Sequence, residues 1–197
     1  MISILPLIFL PLEQRHGLPA ATYQVQSSTV IAGTPEEIWS QLAEVDTIQP
    51  GEYPSGLFHF LGVPRPIRAT VDRAEVGGHR TGEFEYGLRF DERITVYDAP
   101  ETMSFSIAVD PRTLRENSSE RHAFEGHYFR FEDATYHLVL VDDTHLRLEL
   151  SSRYTVKSGA NWYAQLWADA VFGDFQDRVL AMLKGRIEKG TRMASSP

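Results

Sequence analysis

Trp162-Tyr-Ala-Gln-Leu-Trp-Ala-Asp-Ala-Val-Phe-Gly-Asp-Phe-Gln-Asp-Arg-Val-Leu-Ala-Met-Leu-Lys-Gly-Arg-Ile-Glu188 predicts one long helix that is apolar over more than half its circumference. Trp162, Tyr163, Leu166, Trp167, Ala170, Val171, Phe175, Val179, Leu180, Leu183 and Ile187 recur with the three-and-four spacing of a buried helical face. Such a helix needs an enclosing partner. Residues 68–157 alternate like antiparallel strand over nearly their whole length, so the expected partner is a curved sheet gripping the helix. A hollow left between the two is where a ligand would lie.

Upstream of the strands the chain punctuates itself clearly. Tyr23, Val25, Thr29 and Ile31 share one phase of a first strand over residues 23–31. A helix start follows: Thr34 can cap, Pro35 suits the first helical position, and Glu37 completes a capping box ahead of Ile38, Trp39 and Leu42. Residues 46–66 are rich in Pro and Gly and read as short helical turns and loop. Six strands are expected at 68–75, 79–88, 90–97, 102–109, 124–140 and 145–156. Gly77-Gly78, Asp98-Ala99-Pro100 and Asp142-Asp143 supply turns short enough to make antiparallel neighbours. The fold class is therefore α+β: a seven-stranded curved antiparallel sheet, with two short helices after its first strand, wrapped around a long C-terminal helix.

With 197 residues and 42% hydrophobic content, the chain is long enough for one sizeable core. The expected division is an apolar segment and linker over 1–22, one ligand-binding domain over 23–190, and a disordered tail over 191–197. Cysteine is absent, which removes disulfides, thiolate nucleophiles and cysteine-ligated metals. A net charge of −8 without any Lys/Arg run argues against nucleic acid as a partner. The first twelve residues are uncharged and end abruptly at Glu13, but a bilayer span needs about 20 apolar residues. Two readings stay open for that run: an apolar N-terminus lying on the domain, or the end of a truncated transmembrane helix. Localisation is accordingly expected to be cytoplasmic, with membrane association as the alternative.

The element order and the residues marking it resemble the START-like (SRPBCC) superfamily of helix-grip proteins, which includes polyketide cyclase/dehydrase-like and lipid-transport-like members. Val30-Ile-Ala-Gly-Thr-Pro-Glu-Glu-Ile-Trp-Ser-Gln-Leu42 is similar to that family's junction of first strand and first helix. Glu92-Arg-Ile-Thr-Val-Tyr-Asp-Ala-Pro-Glu-Thr-Met-Ser-Phe105 is similar to its proline-turn hairpin, and the chain from Trp162 onward to its long helix in bacterial members. The resemblance spans residues 23–188. It implies the fold and a hydrophobic-ligand cavity, and it does not imply a reaction, because members bind, carry, cyclise or hydrolyse different molecules.

Polar residues in phase with apolar ones mark the expected site. In the last strand Leu146, Leu148, Leu150, Ser152, Tyr154 and Val156 share a face, so Ser152 and Tyr154 are expected as hydrogen-bonding groups in an apolar wall. Glu92 shares a phase with Phe90, Ile94 and Val96 and is the expected inward carboxylate. Tyr128 and Arg130 could face it, although pairing of Glu92 with Arg130 at the sheet's rim is the plainer reading. On the final helix Asp169 interrupts a line through Trp162, Leu166, Gly173 and Leu180. Phe84, Tyr86, Ile94, Phe105, Leu148, Leu166 and Gly173 complete the expected lining.

The seven histidines form no metal-ligand spacing, so neither a metal nor a cofactor is expected. The leading functional expectation is non-enzymatic binding or carriage of a hydrophobic or amphipathic small molecule, by a monomer or weak dimer. One alternative is a cofactor-free cyclase, dehydratase or hydrolase using Glu92, Asp169 or Tyr154 as acid/base groups. The other is a membrane-tethered regulatory or interaction module.

Overall fold

Thirteen residues of alternating exposure, Ala20–Ala32, form strand β1, three residues earlier than the sequence phase predicts. The computed structural model describes residues 19–56, 63–116, 121, 125 and 128–194. After β1 comes helix α1 (Pro35–Ala43), followed by β2 (Pro66–Val71), β3 (His79–Phe84), β4 (Arg89–Asp98), β5 (Thr102–Val109), β6 (Phe129–Asp142), β7 (His145–Lys157) and helix α2 (Asn161–Ala194). All seven strands join one antiparallel sheet in the order β1-β7-β6-β5-β4-β3-β2. Consecutive strands from β2 to β7 are neighbours. The first strand closes the far edge against the last.

Local chemistry accounts for the boundaries. The Thr34 hydroxyl accepts from the Glu37 backbone N–H at 3.2 Å, and Glu37 Oε2 accepts from the Thr34 N–H at 2.9 Å, which is the reciprocal cap the sequence predicts. Ile38, Trp39 and Leu42 are buried behind it. The expected second short helix falls in a stretch of which residues 57–62 lie outside the described residues. At the β2–β3 turn, a Cβ on Gly78 would stand 1.9 Å from the Arg73 carbonyl oxygen, so only glycine fits.

Two strands are shorter than expected, and one changes phase. The 79–88 strand ends at Phe84 because residues Glu85–Gly87 form a tight 3-10 turn with Tyr86 at φ 61°. The 68–75 strand stops at Val71. In β4 a bulge between Ile94 and Val96 turns Val96 outward and brings Tyr97 in, where its hydroxyl accepts from the Trp39 indole N–H at 3.1 Å. Of the expected 124–140 strand, Phe124 and residues 126–127 lie outside the described residues, as do His122 and His127.

Helix α2 extends to Ala194, so residues 191–194 are helical where a disordered tail was expected. Its sheet-facing line runs through Asp169, Phe172, Gln176, Leu180, Leu183 and Ile187. Ile31, Leu146, Leu148, Leu150, Met103 and Leu138 meet the lower part of that line in the main core. Trp162 and Leu166, expected on the buried face, are 72% and 62% exposed. Leu166 follows Gln165, which shares the sheet-facing line, and one residue turns the helix by about 100°. No described helix is long and apolar enough to cross a membrane.

Candidate functional site

A cavity of about 110 Å³ lies between the sheet and α2. The inward positions of β3, which are Arg80, Gly82 and Phe84, form one side of it, with Phe90 and Glu92 of β4 beside them. Phe105, Phe131, Tyr136 and Ser152 continue the wall across β5, β6 and β7. Phe172, Phe175, Gln176 and Val179 close it from the helix. The lining is almost entirely apolar, so the few polar groups within it carry the chemical information.

Glu92 is inward, as its phase predicts, and is 5% exposed. Its partner is not Arg130. Arg80, directly opposite in the β3–β4 register and equally buried, pairs with Glu92 Oε2 through its Nη1. Arg130 is exposed and pairs with Glu132 at 2.7 Å. The correction has a simple cause: Arg80 shares the inward phase of Gly82 and Phe84, whereas Arg130 lies on the outer face of β6. Arg80 is further held by the Ala43 carbonyl, which accepts from its Nε at 3.0 Å, and by the Phe105 ring 5.1 Å below its guanidinium. Burial pushes the Glu92 carboxyl above its ordinary range, against the opposing pull of Arg80. Burial likewise raises the neighbouring Tyr136 phenol.

Gln176 is the polar group that sequence phase did not single out. It is 1% exposed, and its Nε2 donates to Ser152 Oγ at 3.0 Å and to the Val25 carbonyl at 3.5 Å. Its Oε1 accepts no hydrogen bond. The signal was present: Gln176 is four residues from both Phe172 and Leu180, on the line that packs against the sheet.

The remaining expected residues divide by position. Phe84, Glu92, Phe105 and Ser152 line the cavity. Ile94 and Leu148 are buried beside it without lining it. Tyr154 is fully buried, stacks on Phe129, and donates its hydroxyl to Asp169 Oδ1 at 2.5 Å. Asp169 thus points at the sheet, and Gln165 Nε2 donates to its other oxygen at 3.3 Å. Phe172 lies between this pair and the cavity, its ring 5.3 Å from that of Tyr154. Gly173 faces Val25 of β1, 3.9 Å from where a Cβ would stand, and so serves packing.

Four expected contacts are placed elsewhere. Tyr86 is 68% exposed on its left-handed turn, with the Arg115 guanidinium 4.7 Å from its ring. Leu166 and Arg130 face outward, as described above. Tyr128, half-buried just before β6, is not among the residues lining this cavity; its carbonyl accepts from the Lys157 N–H at 2.9 Å. Among the described residues no three His, Asp or Glu side chains converge as a metal site would require.

The architecture is the helix-grip α+β fold of START-like (SRPBCC) proteins. The Zhui aromatase/cyclase from Streptomyces sp. R1128 superposes with a TM-score of 0.58 at 11% identity, covering 90% of this chain and 100% of that one. A START superfamily protein from Mycobacterium smegmatis gives 0.55 at 12% identity, over 84% and 97% of the two chains. Truncated norcoclaurine synthase from Thalictrum flavum gives 0.52 at 12% identity, over 86% and 96%. No family model matches the chain, nor does any curated protein.

Proposed function

We propose that this domain binds a hydrophobic or amphipathic small molecule in the cavity between its sheet and final helix. The observation that carries this reading is the cavity itself: a largely aromatic wall interrupted by a few polar groups, most of them buried. A fold built for a closed core would fill that space with side chains, since voids larger than water are scarce in protein interiors. The related solved structures support a ligand-holding fold through their shared architecture. Titration with a panel of apolar probes, from single aromatic rings to fatty acyl chains, followed by NMR shifts of the Phe172 and Gln176 backbone amides, tests it. Saturable shifts at these residues are expected. Absence of shifts with every probe would overturn the proposal.

Catalysis is the second reading, and the raised Glu92 carboxyl favours it. A carboxyl held above its ordinary range in a desolvated pocket is suited to general acid/base work. Tyr154 and Asp169 are committed to each other behind Phe172, which leaves Glu92 as the acid/base group of choice. Under this reading Glu92→Gln abolishes turnover of a bound substrate while its uptake persists. Full activity in the variant would sink it.

Membrane association is a third, supported by the exposed Trp162 and Leu166. Asn161 Nδ2 donates to the Pro19 carbonyl at 3.0 Å, so the described chain begins beside the start of helix α2, where these two side chains stand. Tryptophan and leucine on one helix edge suit a lipid interface. Flotation with phosphatidylcholine vesicles should recover the full chain and lose the Trp162→Ser/Leu166→Ser variant. Equal recovery of both would remove this surface from consideration.

A further inference from the structure

We infer that the cavity takes a compact, uncharged molecule of about one aromatic ring carrying a hydrogen-bond donor, and that this donor seats on Gln176 Oε1. The inference rests on the ligand-binding reading above and narrows the class of ligand.

Size is the first argument. A cavity of about 150 Å³ lined by Leu, Ile and Phe accepts benzene, whereas pockets for drug-sized ligands run to about 300–1,000 Å³. At about 110 Å³ this cavity is on the single-ring scale. Its wall matches that occupant, because Phe84, Phe90, Phe105, Phe131, Phe172 and Phe175 all line it. Faces and edges of these rings offer offset and edge-on packing to another flat ring.

Polarity is the second. Gln176 Nε2 lies between two acceptors, Ser152 Oγ and the Val25 carbonyl, which orients the amide and leaves Oε1 as the group without a partner. A buried carbonyl oxygen with nothing to accept from is costly, and such atoms in native proteins call for an explanation. No donor among the described residues reaches it, so an occupant carrying a hydroxyl or an N–H would complete it. Charge is excluded by the other polar cluster. Arg80 is already neutralised by Glu92 and bonded to the Ala43 carbonyl, and Arg68, the other cation on the lining, is held by both Glu83 carboxylate oxygens at 3.0 Å, so an ionic ligand would be buried without a free counter-charge.

Phenol, toluene and benzoate share a ring and differ little in size, and their dissociation constants measured by NMR titration provide the test. Phenol should bind wild-type protein about fivefold to tenfold more tightly than toluene, the scale of one net hydrogen bond. In Gln176→Leu the order should reverse, with toluene the tighter ligand because the phenol hydroxyl would be buried without a partner, and benzoate should not bind either protein. Both rings should shift the Gln176 signals by ring current, but only phenol should also move the Gln176 side-chain carbonyl carbon downfield by hydrogen bonding, which decides the matter even where Gln176→Leu does not fold. Equal binding of phenol and toluene to wild type would overturn the donor inference, assigning Oε1 to water, and leave the ligand-binding reading standing. Binding of long acyl probes without either ring would overturn the size argument alone. Silence from every probe would overturn both.

Discussion

The Tyr154 hydroxyl donates to Asp169 Oδ1 at 2.5 Å, tying the last strand to the final helix from a fully buried ring. Burial and the Asp169 carboxylate both raise the Tyr154 phenol well above its ordinary range, so it remains a proton donor throughout the accessible pH range. Tyr154→Phe should therefore destabilise the protein by about 1.5–3 kcal/mol, the cost of a hydrogen bond to a charged acceptor. Urea denaturation measures it. An unchanged midpoint would mean that the bond contributes nothing net.

Arg80 and Glu92 form a closed pair in an apolar wall. Removing one partner strands a charge, so Glu92→Leu should cost about 3–5 kcal/mol. The double variant Arg80→Met/Glu92→Leu should recover most of that loss, because two apolar side chains suit the wall. A double variant as unstable as the sum of the singles would contradict this account.

Gly82 leaves room beside Glu92. A Cβ there would lie 3.2 Å from Glu92 Oε1 and 3.4 Å from the Phe84 ring, inside the cavity wall. Gly82→Val should block ligand uptake while costing about 1–3 kcal/mol from overpacking. Retained binding in a folded variant, read by the same probe titration, would place the ligand elsewhere.

Asp142 organises the β6–β7 turn. The Thr144 backbone N–H donates to its Oδ1 at 2.9 Å, the Thr144 hydroxyl does so at 2.9 Å, and His145 Nδ1 lies 3.0 Å away. These contacts, the Thr144 backbone bond foremost, lower its carboxyl from the ordinary 3.8 to about 2. A depressed carboxylate stabilises the fold above its unfolded value and loses that contribution as pH falls through the folded one. Asp142→Ala should accordingly melt below wild type near neutral pH, and the gap should narrow between about pH 4 and pH 2. A gap constant over that window would argue against the turn's charge.

The sequence was most legible where one pattern had one physical cause. Leu146, Leu148, Leu150, Tyr154 and Val156 alternate in β7 because one face is core, and all are buried. The Thr34 and Glu37 cap is local and could be read without tertiary information. Tyr86 misled because the left-handed position in a turn usually announces itself as glycine, and here the glycine follows one residue later. Val96 misled because a bulge leaves no mark in a run of strand formers. Arg80 was missed beside the Gly77-Gly78 turn, where a cation reads as solvated; only its phase with Phe84 betrayed it. Gln176 was missed because a lone glutamine in an apolar helix face resembles helix filler until its partners are placed.

Sheet order carries one more consequence. Ala20 pairs with Lys157 and Ala32 with His145, so β1 meets no strand until β7 exists. In a chain made from its N-terminus, the first strand therefore leaves the ribosome long before its partner and must travel with an unmatched backbone edge. Closing that edge is a late, long-range step, which predicts slow folding relative to helical proteins of the same size and a nascent chain that needs shielding from edge-to-edge association.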